Sequence, residues 1–344
     1  MANKKRIAVA MSGGVDSSLT AALLIQQGFE VFGVTMQLKD DSAEFDDAQK
    51  VAAQLGIKHF TADFRKIFRA EIENYFVEEY LKGRTPNPCV LCNKKIKFGK
   101  LLDFAQEQGA DFLATGHYAR IIFEDGRFKL KKAFDLKKDQ SYVLYNLTPE
   151  KLSKIILPLG EFSKTETRAL AEKLNLISAH KKDSQEICFV PNDDYKSFIA
   201  ARADSADALQ PGEIVNTAGK VLGYHNGVAN YTIGQRKGLG IAAENPLYVL
   251  KLDVENRRVI VGNNAETFSN ELTAENVHWI YPPKFPARLQ CKIRYGPRVS
   301  NCTVKNLGEN LRVIFDEPQR AITAGQSVVF YDGKEVLGGG VITG

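Results

Sequence analysis

No run of residues is long and apolar enough to cross a bilayer. Lys4-Lys5-Arg6 precedes only five apolar residues, far short of a secretory signal core, so the expectation is a cytoplasmic protein. Cysteine is scarce and odd in number, five in 344 residues, which argues against a disulfide framework. Cys89-x-x-Cys92 has no second Cys-x-x-Cys to complete a zinc site. Neither Gly-Lys-Ser/Thr nor Gly-x-Gly-x-x-Gly follows the first apolar run, which removes the Walker A loop and the dinucleotide fingerprint. Internal repeats and low-complexity linkers are absent as well. The formal net charge of +5 permits a polyanionic partner without requiring one. With 44% hydrophobic and 25% charged residues, the chain reads as globular, with core enough for two or three domains.

What is present begins with Ser12-Gly13-Gly14-Val15-Asp16-Ser17-Ser18, set between the apolar run Ile7–Ala10 and a helical stretch. Consecutive glycines let the backbone turn tightly and bring N–H groups to an anion. The hydroxyls of Ser12, Ser17 and Ser18 and the helix N-terminus are expected to add donors. The loop resembles that of the PP-loop ATP pyrophosphatases, which split ATP between its α and β phosphates. Short apolar strands alternate with helical stretches to about residue 120: Arg6–Ala10, Val31–Met36, Lys58–Ala62 and Phe112–Thr115 as strands, Asp16–Gln27, Asp46–Leu55 and Lys100–Gln108 as helices. That rhythm predicts a parallel sheet, with ligands beyond the carboxyl ends of its strands. Ser163-Lys164-Thr165-Glu166 is a capping box opening a further helix. From Gln210 onward the pattern is β: two hairpins, then several strands between Leu289 and Ile342 that predict a small barrel. The expected division is an α/β PP-loop domain over 1–205, a small central β-rich domain over 206–268 and a C-terminal β-barrel over 269–344.

Two thiol-bearing segments stand out. In Arg84-Thr85-Pro86-Asn87-Pro88-Cys89-Val90-Leu91-Cys92, prolines hold the approach extended. The helix that follows is expected to place both thiols near its positive end and favour thiolate. Cys188 lies in Asp183-Ser184-Gln185-Glu186-Ile187-Cys188-Phe189, whereas Cys291 and Cys302 sit in strand-like runs and read as inert. An adenylating loop with two distant thiols points to activation by ATP followed by sulfur delivery.

The loop, Gly83–Asn93, Ala114–Arg120, Lys138–Tyr142, Ser184–Phe189 and Tyr231–Gly240 together resemble the bacterial tRNA-specific 2-thiouridylases, in family order over nearly the whole chain. The resemblance implies conversion of the anticodon wobble uridine (position 34) to 2-thiouridine on tRNAs for Glu, Gln and Lys, with ATP, Mg²⁺ and a sulfur donor such as a cysteine desulfurase or a sulfur-relay carrier. It implies that Ala10, Met11, Ser12, Gly13, Gly14, Val15, Asp16, Ser17, Met36 and Gly116 hold ATP. Cys92 would be the nucleophile and Cys188 the persulfide carrier. Asn87, Pro88 and Cys89 would face the target base. His117, Lys138, Asp139, Gln140, Arg294, Tyr295 and Gln326 would contact tRNA. Separately, Arg288, Lys292, Arg294 and Arg298 of the β module are expected to meet phosphates. Cys89 stands where several members carry aspartate, so two routes remain open: a persulfide on Cys188, or a [4Fe-4S] cluster on Cys89, Cys92 and Cys188. Rival readings are a different PP-loop adenylating synthetase and a non-catalytic ATP- or RNA-binding protein.

Overall fold

The apolar run ahead of the glycine loop becomes the central strand of a parallel sheet. In the computed structural model, residues 4–40, 43–181, 187–203 and 206–343 are described. The N-terminal half is built from β1 (Arg6–Ala10), α1 (Val15–Gln26), β2 (Glu30–Gln37), α2 (Ala43–Gln54), β3 (His59–Asp63), β4 (Phe112–Ala114), a hairpin of β5 (Ala119–Glu124) and β6 (Arg127–Lys132), and the short β7 (Ile155–Ile156). The sheet order is β3-β2-β1-β4-β7, all parallel. Ile7, Ala8 and Val9 are wholly buried, because helices cover both faces and leave no polar side to alternate with. The order reverses between β1 and β4, so the loops leaving those two strands diverge and open a crevice.

The helix expected to begin at Lys100 is the tail of a longer helical run. It starts as one turn at Pro88–Cys92, continues through wide π-type turns over Asn93–Lys100, and ends as regular helix at Leu101–Glu107. Phe98 (φ −102°, ψ 15°) marks the kink, its ring wholly buried. Two further elements carried no clear sequence pattern: the helical segment 65–81, which buries Phe68, Ile72, Phe76 and Tyr80, and the β5–β6 hairpin.

The central strands are β8 (Gly212–Asn216), β9 (Val221–His225), β10 (Tyr248–Asp253) and β11 (Arg258–Gly262), ordered β10-β11-β8-β9. Both expected hairpins form, and parallel pairing of β11 with β8 joins them into one sheet. Beyond them, β12 (Phe268–Trp279), β13 (Ala287–Lys292), β14 (Ser300–Leu307), β15 (Asn310–Arg320), β16 (Ser327–Asp332) and β17 (Glu335–Ile342) form an antiparallel barrel. It closes because β12 pairs with both β15 and β17. Cys291 and Cys302 are buried among its core side chains.

The barrel is fused to the N-terminal half. β6 pairs with β17 at Lys131–Glu335, and the Tyr142 hydroxyl donates to the Ser327 carbonyl oxygen at 2.8 Å. Tyr142, Tyr145, Val329 and Tyr331 belong to the same core cluster as Ala8 and Val34. Among the described residues, no helix is long and apolar enough to cross a membrane.

Candidate active site

Glycine brings the loops after β1 and β4 together. Gly13 has φ +69°, and a Cβ there would lie 2.6 Å from Asp47 Cβ and 2.8 Å from the Ala48 nitrogen. Only glycine lets this turn rest on α2. Across the crevice, a Cβ on Gly116 would come within 2.9 Å of the Asp16 carbonyl carbon. The two loops bound a cavity of about 590 Å³, within the range of small-molecule sites. Ala10, Met11, Ser12, Gly14, Val15, Asp16 and Ser17 line one wall, and Val34 and Met36 of β2 another. Thr115, Gly116, His117 and Tyr118 face them, and Lys97, Lys137, Lys138, Gln140, Lys164 and Tyr295 close the rim. Gly13 shapes the turn without lining the cavity.

Gly14 opens α1 with no side-chain cap, which leaves first-turn N–H groups for an anion. The Ser17 hydroxyl accepts from the Ser12 N–H at 3.2 Å and donates to the Gly14 carbonyl at 3.2 Å, bracing the turn. The Ser18 hydroxyl corrects the expectation made for it. It is wholly buried and donates to the Gly14 carbonyl at 2.8 Å, so it serves the helix and faces no ligand.

Lys164 and Tyr118 are cavity residues that the sequence reading did not single out. Lys164 Nζ lies 2.7 and 2.9 Å from the two Asp16 carboxylate oxygens, and the Tyr118 hydroxyl donates to Asp16 at 2.9 Å. Lys164 is the first residue of the helix Lys164–Lys173, fixed by the capping box of Ser163 and Glu166. The box was legible; that its next residue reaches Asp16, 148 positions away, was not. His117 is buried, with Nδ1 2.7 Å from the Thr115 hydroxyl and its ring 5.6 Å from Phe98. Burial, and then the charge of Lys97, hold its imidazole well below the usual range, so it is neutral at physiological pH.

Asn87 caps the turn Pro88–Cys92 by accepting from the Cys89 N–H at 3.2 Å. Cys89 is exposed at the start of that turn, while Cys92 at its end is buried among Phe68, Ile72, Ile96 and Phe189. The expected low-pKa Cys92 is therefore corrected. Burial pushes its thiol up to about 12, Lys97 opposes this, and Cys188 and Cys89 add to it. Cys188 is exposed, and its carbonyl accepts from Lys39 Nζ just beyond β2. The preceding Asp183–Glu186 lies outside the described residues. Lys97 links the two chemistries, since it lines the cavity and acts electrostatically on Cys92. Among the described residues, no three His, Cys, Asp or Glu side chains group as metal ligands. Cys89 and Cys188 act on the Cys92 thiol through their charges without gathering with it as one ligand set, so this arrangement does not fit a cluster on all three.

The residues carried over for tRNA contact divide. Lys138, Gln140, His117 and Tyr295 line the cavity, with Tyr295 half exposed at its edge. Gln140 Oε1 accepts from the Tyr118 N–H at 2.9 Å. Arg294 is exposed, and its Nη2 donates to the carbonyls of Arg320 and Ala321. Gln326 donates to the Thr85 carbonyl at 2.8 Å, tying the barrel to the segment before Asn87. Pro88 is buried. Asp139 presents no carboxylate to the surface. It is buried against Lys292 at 2.9 Å and accepts from the N–H groups of Ala133 and Ser141 and from the Ser141 hydroxyl.

Three family models cover the chain in order: the tRNA methyl transferase HUP domain over 5–192, its PRC-barrel domain over 196–263, and the aminomethyltransferase β-barrel domain over 269–342. The chain is 48% identical to the tRNA-specific 2-thiouridylase MnmA of Carboxydothermus hydrogenoformans, covering 98% of each. It is 47% identical to that of Acetivibrio thermocellus over 99% of each. Against MnmA 1 of Caldanaerobacter subterraneus it is 49% identical over 98% of this chain and 97% of the relative. With its glycine turn, its cysteine turn and its closed barrel in this order, the chain belongs to the tRNA-specific 2-thiouridylase family.

Proposed function

We propose that this protein is a cytoplasmic enzyme that uses ATP to replace the C2 oxygen of the wobble uridine of tRNA with sulfur. The observation that carries the reading is the crevice between the β1 and β4 loops, with Lys97 joining its wall to the thiol of Cys92. A pyrimidine carbonyl oxygen is a very poor leaving group, so it must first be activated. Attack of that oxygen on the α phosphorus of ATP forms an O-adenylated base and breaks the bond to pyrophosphate. Charge on the leaving pyrophosphate is met by the N–H groups of the glycine turn and by Lys164, in a site that is already ordered. Asp16 is the carboxylate beside that turn that would hold Mg²⁺, which would screen the phosphates.

Sulfur enters through a persulfide on Cys188. Its terminal sulfur bonds to C2; the Cys92 sulfur then attacks the Cys188 sulfur, breaking the S–S bond and leaving its electron pair on the transferred atom. AMP departs with the former carbonyl oxygen. The resulting Cys92–Cys188 disulfide requires two electrons from an external thiol before the next turnover. Cys89, exposed one turn away, is placed to relay a proton or sulfur. The sulfur donor would be a protein persulfide, from a cysteine desulfurase or a relay carrier, and the substrates tRNAs for Glu, Gln and Lys. An anticodon base flips cheaply from its single-stranded loop to reach such a pocket.

The test is pyrophosphate release and 2-thiouridine formation on unmodified tRNA. Release that depends on tRNA, with 2-thiouridine abolished in Cys188→Ser and Cys92→Ser, is the expected result. Full turnover in Cys188→Ser would instead indicate an adenylating synthetase that needs no thiol, and ATP binding without cleavage a sensor.

A further inference from the structure

The barrel carries many basic side chains, but most have a partner that accounts for them. Arg288 is paired with Asp316, Arg312 with Glu271, and Lys292 with the buried Asp139. Arg288 and Lys292 were expected to meet phosphates, and the structure gives each a carboxylate instead. Arg294, Arg298 and Arg320 are different. Among the described residues none of the three forms an ion pair, yet they line one notch together with Ile293, Ser300 and Gln319. Arg320 comes from the end of β15, Arg294 and Arg298 from the loop between β13 and β14.

The notch sits where the barrel meets the central sheet. Arg320 Nε donates to Asn264 at 3.2 Å, and its guanidinium carbon lies 5.0 Å from the Tyr248 ring centroid. A Cβ on Gly234 would lie 2.5 Å from Ala321 Cβ, so glycine is what allows this approach. Carbonyls of Arg320 and Ala321 hold one nitrogen of Arg294 in place. Three like charges held together without a carboxylate repel each other; burial, then Arg320 and Arg298, lower the affinity of Arg294 for its proton. The notch is about 20 Å³, room for one anionic oxygen and not for a small molecule. A phosphodiester of a polymer can dock one oxygen there while its bulk stays outside.

We infer that Arg294, Arg298 and Arg320 form a phosphodiester-binding notch that fixes the tRNA backbone at the joint between barrel and central sheet. The inference rests on the proposed tRNA substrate; Arg294 and Arg298 were already expected to meet phosphates, and the structure adds Arg320 and the one notch that the three share. The notch admits one phosphate oxygen, so as a whole it should contribute about one unit to the slope of log affinity against log salt.

The test is binding of unmodified tRNA to the full-length protein over a potassium chloride series. Arg298, which makes no hydrogen bond or ion pair among the described residues, is replaced first, and melting temperature confirms folding. Arg298→Ala is expected to weaken tRNA binding and Arg298→Lys to keep it, and adding Arg320→Ala to Arg298→Ala is expected to lower the slope by about one. Arg312→Ala, whose partner is Glu271, should leave it unchanged. Unchanged tRNA affinity and slope in the Arg298→Ala, Arg320→Ala double variant overturn the notch. So does weakened binding of inorganic phosphate in Arg298→Ala with tRNA affinity and slope intact, because the site would then serve free anions. If the unaltered protein binds no tRNA at any salt concentration, it is the proposed function that fails.

Discussion

Lys164 and Asp16 hold each other in the crevice, and that pairing determines what each can do when nucleotide enters. A Lys–carboxylate pair beside a phosphate site releases the ammonium toward the more concentrated charge of a triphosphate. Lys164→Ala is therefore expected to reduce kcat/KM for ATP-dependent pyrophosphate release by roughly 10²–10³-fold, the scale of losing one transition-state donor. A steady-state assay of a folded variant checks this, and a loss below about threefold would contradict it. Cys92 makes a second residue-scale prediction. At pH 8 iodoacetamide should label exposed Cys89 well before Cys92. Cys92 labelling should keep accelerating up to pH 10, because its thiol, pushed to about 12 by burial, gains thiolate throughout that range. Peptide mass spectrometry separates the two sites. Asp139 gives a third. Asp139→Ala leaves the Lys292 ammonium buried and should destabilise the fold by about 3–5 kcal/mol, with much of this recovered when Lys292→Met is added. If Asp139 acted only on tRNA, urea midpoints would not move.

At the scale of elements, the helix Lys164–Lys173 shows how a local rule delivers a distant group. Its capping box holds the first turn, and Lys164 stands at the first position of that turn. Ser163→Ala should cost about 1 kcal/mol of stability. It should also raise KM for ATP, since the loss falls on the turn that begins with Lys164. Thermal melts and ATP titrations together test this, and unchanged ATP affinity would show that the cap serves stability alone. The cysteine turn is held from the other side by the barrel. The Thr85 N–H donates to the Ala324 carbonyl at 2.8 Å, Arg84 pairs with Glu275 at 2.9 Å, and Gln326 grips the Thr85 carbonyl. The barrel thus holds the chain that leads into the cysteine turn.

Across the whole molecule, burial keeps His59, His117, His225 and His278 below the ordinary imidazole range and so largely neutral when folded. The unfolded chain protonates these groups as pH falls through about 6.5, while the native state resists. Unfolding then takes up protons, and stability falls with falling pH in that window. The carboxylates Asp63 and Glu124, held near 2 by Arg65 and by Lys131 and Lys129, lose their contribution only below the unfolded carboxylate range, near 4. Urea midpoints should therefore decline between pH 7 and pH 5; a flat or rising profile would contradict this.

The local order of the chain determined the strands that carry continuous apolar residues, the helices closed by Gly28 and Gly56, the capping box, and the glycine turn. Each of these depends on neighbours a few positions apart, through backbone sterics, capping and side-chain period. Met36, Gly116 and the cysteine turn were marked as a set by the resemblance of their motifs to a family, in order along the chain. Tertiary structure alone decided the pairing of Lys164 with Asp16, the sealing of Cys92 and Asp139, the closure of β12 onto β17 and the gathering of three arginines at one joint. Those outcomes depend on desolvation and charge between groups brought together from distant parts of the chain. Burial and electrostatic pairing are properties of the folded surroundings, which no single stretch of sequence contains.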